Sequence, residues 1–414
     1  MTDEKMLVKR ARERIKTQME NAEQIAYQCS QRVLKAFQTH HVSARHFAPT
    51  EGYGYDDIGR DTLDALFADA LQTEDALVRP QIANGTHAIF LALSGVLEPG
   101  DKILSITDIP YDTLQTAIGL TENAPNSLKR FGITMESIPF TDDGSIDLDK
   151  ALQKLQKDAS IRMIYVQRSR GYAWRNAVTI AEMQECFSAI RQVRSDIIIF
   201  VDNCYGEFVE ENEPTAVGAD LIAGSLIKNC GGGIAPTGGY IAGRKDLIEA
   251  VSYRLTVPGS GREVGSYAFS YRPYYQGLFM APHTVCQCMK SAILFAALFE
   301  DLGYTSMPSV YAKRSDIIQS VRFDTKEELV AFCRAVQSAA PIDSFVVPEP
   351  WAMPGYADPV IMAAGAFVQG ATTELSADAP IRAPYVGYMQ GALTFEHALL
   401  AAEAIAKALI QQKR

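Results

Sequence analysis

Between Asp3 and Gln38 the apolar positions recur at helical spacing: Met6, Ala11, Ile15 and Met19, then Ile25, Val33, Leu34 and Phe37. This predicts one or two amphipathic helices, an arm that packs on a domain or on a partner subunit. From Gly52 the period changes. Runs that are apolar almost throughout, at Lys102–Thr107, Arg162–Gln167, Ile197–Asn203, Leu221–Leu226 and Gly239–Ala242, alternate with helical patterns at Thr86–Leu97, Asp112–Thr121, Leu148–Lys157 and Ile180–Val193. Strands without polar alternation are buried on both faces, as in a mostly parallel sheet. Their alternation with helices predicts a doubly wound α/β domain. After Val257 the pattern changes again. His283–Leu302, just past Pro282, reads as a long apolar helix. Gln319–Asp324 and Ser344–Val347 read as strands with the helix Thr325–Ala340 between them, and Thr394–Gln411 reads as a closing helix. The expected organisation is a helical arm over 1–50, a large α/β domain over 51–275 and a smaller α+β domain over 276–414.

The chain has 414 residues, 47% of them hydrophobic, enough for two cores of this kind. Its formal net charge of -10 argues against a nucleic-acid partner, because phosphate binding needs a basic surface. No stretch reaches the roughly 18–20 uncharged apolar residues of a membrane span. The charged start, MTDEKMLVKRARER, lacks the apolar core of a secretory signal. Seven scattered cysteines are an odd, irregular set, which suggests reduced thiols. Cys286 and Cys288 have no second Cys/His pair nearby and read as packing residues, so no metal is expected. A cytoplasmic protein away from membranes is the expectation.

Candidate chemistry lies in two segments, IIIFVDNCYGEF and LIAGSLIKNCGGGIAPTGGYIAG. Asp202 stands at the C-terminal end of an apolar strand, where ligands usually bind in α/β sheets. Desolvation there raises a carboxylate's pKa unless a cation or donor faces it. A protonated pyridine nitrogen would serve; so would the N–H groups of a following turn, which Asp202 could simply cap. Lys228 ends the next apolar strand. A buried lysine has a lowered pKa and becomes the nucleophilic amine that imine chemistry needs, whereas a surface lysine in a Gly-rich turn would do nothing. Gly231, Gly232 and Gly233 let backbone approach a flat ligand, and Ser225 could aim its hydroxyl at a phosphate. Asn84, Gly85, Thr86 and His87 open a helix whose free N–H groups suit an anion or a plain cap. Tyr111, next to Pro110, could stack on a ring or be an ordinary turn aromatic. The order of phosphate cradle, carboxylate and lysine resembles that of pyridoxal-phosphate enzymes.

The longer strings GYGYDDIGRDTLD, NGTHAI, PYDTL, QRSRGY, VDNCYGEFVE, GSLIKNCGGGIAPTGGYIAG, QGLFMAPH and ELSADAPIRAPYVGYMQGALTFEH resemble, nearly end to end, the methionine gamma-lyase-like, or aluminium-resistance, family of fold-type-I pyridoxal-phosphate enzymes. The resemblance implies a large domain with a mostly parallel seven-stranded sheet and a smaller C-terminal α+β domain. It implies pyridoxal 5′-phosphate, held by Lys228 as an imine, with Asp202 at the pyridine nitrogen and Tyr111 on the ring, these three being the catalytic set. Gly85, Thr86 and Ser225 would bind the phosphate, with Asn84 beside them. Tyr55 and Arg60 would reach a phosphate in the neighbouring subunit, making the active unit a homodimer or a homotetramer. Arg382 would clamp the α-carboxylate of a small amino-acid substrate, and Arg168, or Ser169, would contact cofactor or substrate. The expected reaction is carbon–sulfur cleavage of a sulfur amino acid, of the cystathionine beta-lyase or methionine gamma-lyase type. The better-known lyases of this branch follow their lysine with a Gly-His-Ser-Asp type segment; here NCGGGIAPTGG follows Lys228, and the Tyr-x-Arg pair is stretched into Tyr55 and Arg60. Substrate specificity therefore transfers poorly. Transamination, retro-aldol cleavage or racemisation could use the same residues, and a stress-response protein could retain the fold without catalysis. A nicotinamide enzyme lacks its G-x-G-x-x-G here.

Overall fold

The computed structural model describes residues 3–121, 124–353 and 358–413. In chain order its elements are α1 Asp3–Arg14, α2 Lys16–Thr39, α3 Ile58–Ala70, β1 Asp75–Arg79, α4 Gly85–Val96, β2 Lys102–Ser105, α5 Asp112–Ile118, β3 Thr134–Ser137, α6 Leu148–Lys157, β4 Ile161–Gln167, α7 Ile180–Val193, β5 Ile198–Asp202, β6 Leu221–Ser225, β7 Gly239–Gly243 and α8 Lys245–Leu255. Then follow α9 Arg272–Asp301, β8 Thr305–Met307, β9 Gln319–Phe323, α10 Lys326–Ser338, β10 Val360–Ala363, β11 Ser376–Pro380, β12 Tyr385–Gln390 and α11 Phe395–Gln412.

Seven strands form the large sheet in the order β1-β7-β6-β5-β4-β2-β3. From β6 to β3 every pairing is parallel; β7 alone runs against both of its neighbours. Successive residues of β5 show why the strands read as unbroken apolar runs. Ile199 and Val201 enter one core, with Val166 and Ile222, while Phe200 enters the core on the other face, with Tyr165 and Leu221. Both faces are covered, so no polar alternation is tolerated. Five antiparallel strands, β10-β11-β12-β9-β8, form the second sheet, against which α10 and the far half of α9 pack, with α11 laid on these two helices in a third core.

Several helices begin where a side chain caps part of the first turn. Thr179 with Glu182, and Thr325 with Glu328, make reciprocal caps on α7 and α10. Asn84 Oδ1 accepts from His87 N at 2.9 Å on α4. The N-terminal arm packs on its own chain. Val8, Ala11 and Ile15 join the small core, and Cys29, Val33 and Ala36 of α2 join the large one.

Three expectations are corrected. Helix α9 begins at Arg272, well before His283, and runs through Pro282. A proline removes one helical hydrogen bond, which a long, well-packed helix can absorb. Its first half, with Tyr275, Leu278 and Val285, lies in the large core, and its second, from Ile293 to Phe299, in the small one. The boundary expected at 275/276 thus falls inside this helix. Residues Ser344–Val347 form a turn and loop rather than a strand; among the described residues no strand pairs with them, and Phe345 is 84% exposed. The short strands β1, β3, β8, β10, β11 and β12 were not anticipated. Among the described residues no helix is long and apolar enough to cross a membrane.

A buried ion pair ties the segment after β4 to the segment before β9. Arg170 Nη2 meets Asp316 Oδ1 at 3.1 Å with both side chains fully buried. Ser169 Oγ donates to the other carboxylate oxygen at 3.0 Å, and Arg170 Nη1 donates to Met307 O at 2.6 Å. Removing one partner of such a pair strands the other charge. Asp316→Ala should therefore destabilise the protein by about 3–5 kcal/mol, measured as a shift in the urea midpoint. A loss below about 1 kcal/mol would show that water reaches Arg170.

Candidate functional site

A cleft of about 720 Å3 opens at the C-terminal ends of β4, β5 and β6, and the small sheet closes one wall. Its floor follows from strand register. Asp202 ends β5 opposite Gln167 of β4 and Ala223 of β6. Ser225 ends β6, and Lys228 follows in the next turn. Two strand ends therefore deliver a carboxylate, a hydroxyl and an amine to one place.

The N-terminus of α4 faces them. Gly85 and Thr86 N–H find no acceptor among the described residues, so the positive end of the helix points into the cleft. A side chain at Gly85 would crowd it, because a Cβ there would lie 3.2 Å from Cys204 Sγ and 3.3 Å from Ser225 Cβ. Thr86 Oγ1 shares a 2.9 Å hydrogen bond with Tyr111 Oη. Tyr111 N donates to Gln167 Oε1 at 3.0 Å, which fixes the tyrosine at the start of α5.

Asp202 is 4% exposed. Burial pushes its carboxyl above the usual range, while the Lys228 charge and the Cys204 N–H, 3.1 Å from Oδ1, act the other way. Lys228 Nζ lies 3.9 Å from the centre of the Tyr205 ring. Burial works to lower its pKa, but the Asp202 carboxylate beside it acts the other way, and the amine is held charged above the ordinary lysine range. Tyr205 reaches this position through a left-handed backbone, φ 71°. The Lys228 turn itself rests on α9. A Cβ on Gly232 would lie 2.3 Å from Gly277 O, and one on Gly277 would lie 2.4 Å from Gly231 O.

Below that turn lies Glu207, fully buried. Tyr240 Oη donates to its Oε1 at 2.7 Å, and Asn229 Nδ2 donates to its backbone oxygen at 3.0 Å. Its Oε2 has no partner among the described residues. Burial raises its pKa to about 8, despite the opposing Tyr240 hydrogen bond, so the group is mostly neutral at pH 7.

Lys228, Asp202, Tyr111, Asn84, Gly85, Thr86, Ser225 and Ser169 thus line one cleft. Four other expected residues do not line it. Arg168 is fully buried behind the floor, bonded to Asn203 Oδ1 at 2.7 Å and Ser315 Oγ at 3.0 Å, and it packs so closely that a Cβ on Gly206 would lie 2.4 Å from its Cδ. Its role here is to brace the turn after β5. Arg382 is 54% exposed at its side chain and pairs with Asp358 at 3.0 Å. Arg60 is buried and donates to Gly54 O at 2.8 Å. Tyr55 is 63% exposed and stacks on Tyr53 at 5.4 Å. Gln167, Cys204, Tyr205 and Asp378 line the cleft unforeseen. Tyr205 was legible in principle, three residues after Asp202; Asp378 carried no signal.

The donor set suits a flat, phosphorylated aldehyde. Helix N–H groups and two hydroxyls converge where a phosphate would sit, an aromatic flanks the floor, and a buried carboxylate and an amine stand apart for a ring nitrogen and a carbonyl carbon.

A family profile described as Methionine gamma-lyase matches residues 4–410. The uncharacterized protein YnbB of Bacillus subtilis (strain 168) is 53% identical over 377 residues, 91% of this chain and 89% of that one. The crystal structure of a carbon-sulfur lyase involved in aluminum resistance from Clostridium novyi NT superposes with a TM-score of 0.95 at 50% identity, covering 99% of this chain and 96% of that one. A candidate cystathionine beta-lyase involved in aluminum resistance from Clostridium acetobutylicum gives 0.95 at 48%, covering 98% and 95%.

Glu207 sets a pH dependence of stability. Unfolded, it titrates near the ordinary glutamate value of 4.5; folded, it keeps its proton to about 8. The folded state therefore binds more protons between these limits, and stability falls as pH rises through that window. Each unit is worth about 1.4 kcal/mol, so the loss reaches a few kcal/mol. Glu207→Gln should remove this contribution, so that the variant's unfolding free energy declines less steeply between pH 5 and 7.5 than the wild type's, the remaining slope coming from other buried carboxyls such as Asp378. Parallel pH profiles would overturn this assignment.

Proposed function

The chain belongs to the methionine gamma-lyase family, and from that premise we propose that it is a pyridoxal-phosphate-dependent carbon–sulfur lyase acting on a sulfur amino acid. The observation that carries the reading is the convergence of Lys228, Asp202 and the Gly85–Thr86 helix start in one cleft.

Bound there, pyridoxal phosphate supplies an electron sink for negative charge at the substrate's α-carbon. Gly85 and Thr86 N–H, with the Thr86 and Ser225 hydroxyls, would hold the phosphate. Tyr111 would flank the ring. Asp202 would keep a proton on the ring nitrogen, and a cation there would draw the buried carboxyl back toward its charged form. Lys228 Nζ would hold the cofactor's aldehyde carbon, would take the proton from the substrate's α-carbon and could return one to the leaving sulfur or to a neighbouring carbon. In a β-elimination the Cα–H and Cβ–S bonds break, a thiol leaves with a proton, and water converts the remainder to a 2-oxo acid and ammonia. The proposal includes a second copy of the chain, whose exposed Tyr53–Tyr55 pair and Arg60 segment would complete the phosphate site. It also includes Arg382 turning from Asp358 to a substrate carboxylate, a two-pronged clamp suited to guanidinium.

Purified protein with added pyridoxal phosphate should turn yellow and lose the colour on borohydride reduction with a covalent mass increase. Lys228→Ala should show neither the covalent increase nor turnover. Asp202→Asn should keep the cofactor and lose on the order of a hundredfold or more in kcat. Release of thiol and 2-oxo acid from cystathionine or methionine, followed together, supports the lyase reading. A protein that is colourless once excess cofactor has been removed would end it.

A further inference from the structure

Asp378 is the carboxylate that the small sheet presents to the cleft. It lies in the middle of β11, in register with Met362 of β10 and Tyr388 of β12, so its backbone is fixed on both sides. The side chain is partly buried and lines the cleft beside Lys228 and Tyr205. Among the described residues nothing donates a hydrogen bond to it, and Lys228 is the one charge acting on it.

The other acids of the cleft have occupations. Asp202 receives the Cys204 N–H and stands where a ring nitrogen would be. Asp112 sits in the first turn of α5, next to the helix's positive end, with Gln115 Nε2 3.3 Å away. The basic side does not match them. No arginine lines the cleft among the described residues, and burial lowers the pKa of His87, leaving it neutral. Three carboxylates therefore face a single ammonium, that of Lys228, whose nitrogen the cofactor would take up. A carboxylate left without a donor in a cleft that sheds water is costly, and burial already lifts the Asp378 carboxyl to about 6. An ammonium arriving with the substrate would supply both the charge and the hydrogen bonds.

We infer that Asp378 receives a second, distal ammonium group of the substrate, so that the preferred sulfur amino acids carry a cation beyond the sulfur atom. The inference rests on the lyase reading and names its substrate class: thioether diamino acids rather than amino acids with an apolar tail.

Three cysteine derivatives of similar length separate the possibilities: S-(2-aminoethyl)cysteine, S-propylcysteine and S-carboxymethylcysteine, cationic, neutral and anionic. On the holoenzyme, kcat/KM should fall in that order, with at least about tenfold between the first two, the size of one charge-assisted hydrogen bond. Asp378→Asn should bring those two within about twofold, mostly through KM, with a thermal midpoint no lower than that of the wild type, and Asp378→Glu should restore part of the preference. The same order should appear in calorimetric binding of the α-methyl analogues, which have no α-proton to lose. Equal binding of the cationic and neutral analogues, or a preference that survives Asp378→Asn, overturns the inference. If none of the three is cleaved and cystathionine and methionine are left intact as well, the lyase reading fails, and the binding order alone decides for or against Asp378.

Discussion

The backbone ladder between β5 and β6 is the constraint on which the site depends. Phe200, Val201 and Asp202 pair with Leu221, Ile222 and Ala223. Adjacent strands lie about 4.8 Å apart, so this register brings a carboxylate from one strand and the approach to an amine from the next to the same edge. A slip of one residue would send Val201 and Phe200 into each other's cores and carry Asp202 off the floor. The apolar faces that forbid the slip hold the charges where they are. Opposed polar groups are kept half out of water because the strands beneath them have no alternative packing.

Within this frame the surroundings give three carboxyl groups three characters. Asp202 has a backbone donor and a cation nearby, and with a second cation it becomes a charged partner. Glu207 has a phenol for company and an orphaned oxygen, and it stays a neutral acid beneath the lysine turn. Asp378 is desolvated without a donor and is poised between the two forms. Residue type alone distinguishes none of these roles; distance, burial and partner decide each one.

How much of this was legible in the chain follows from the same physics. Strands β2, β4, β5, β6 and β7 announced themselves because both faces are buried, and α6 and α7 because one face is. The β1 and β3 sequences, DALVR and TMES, are short and carry polar residues at the sheet's two edges. The second sheet was harder. SADAP forms a strand through its neighbours on either side, against its own low propensity, while SFVV has the propensity and no partner. At the site, Asp202 and Lys228 could be read because each terminates an apolar run. Arg168 lies next to the same floor in sequence but points behind it, and no linear pattern shows on which side of a sheet a strand-end arginine emerges. Asp378 comes from a different sheet altogether.

The contact between the Lys228 turn and α9 has an evolutionary consequence. Gly231, Gly232 and Gly277 meet main chain to main chain, and a methyl group on any of them would overlap a carbonyl oxygen. None of the three can drift by single steps, because relief would require the helix to move away, and α9 is built into both cores. The lineage is thus held to a narrow passage at these positions. Variation in what the protein acts upon is left to the walls of the cleft, while the turn that carries the lysine is inherited as a block with the helix beneath it.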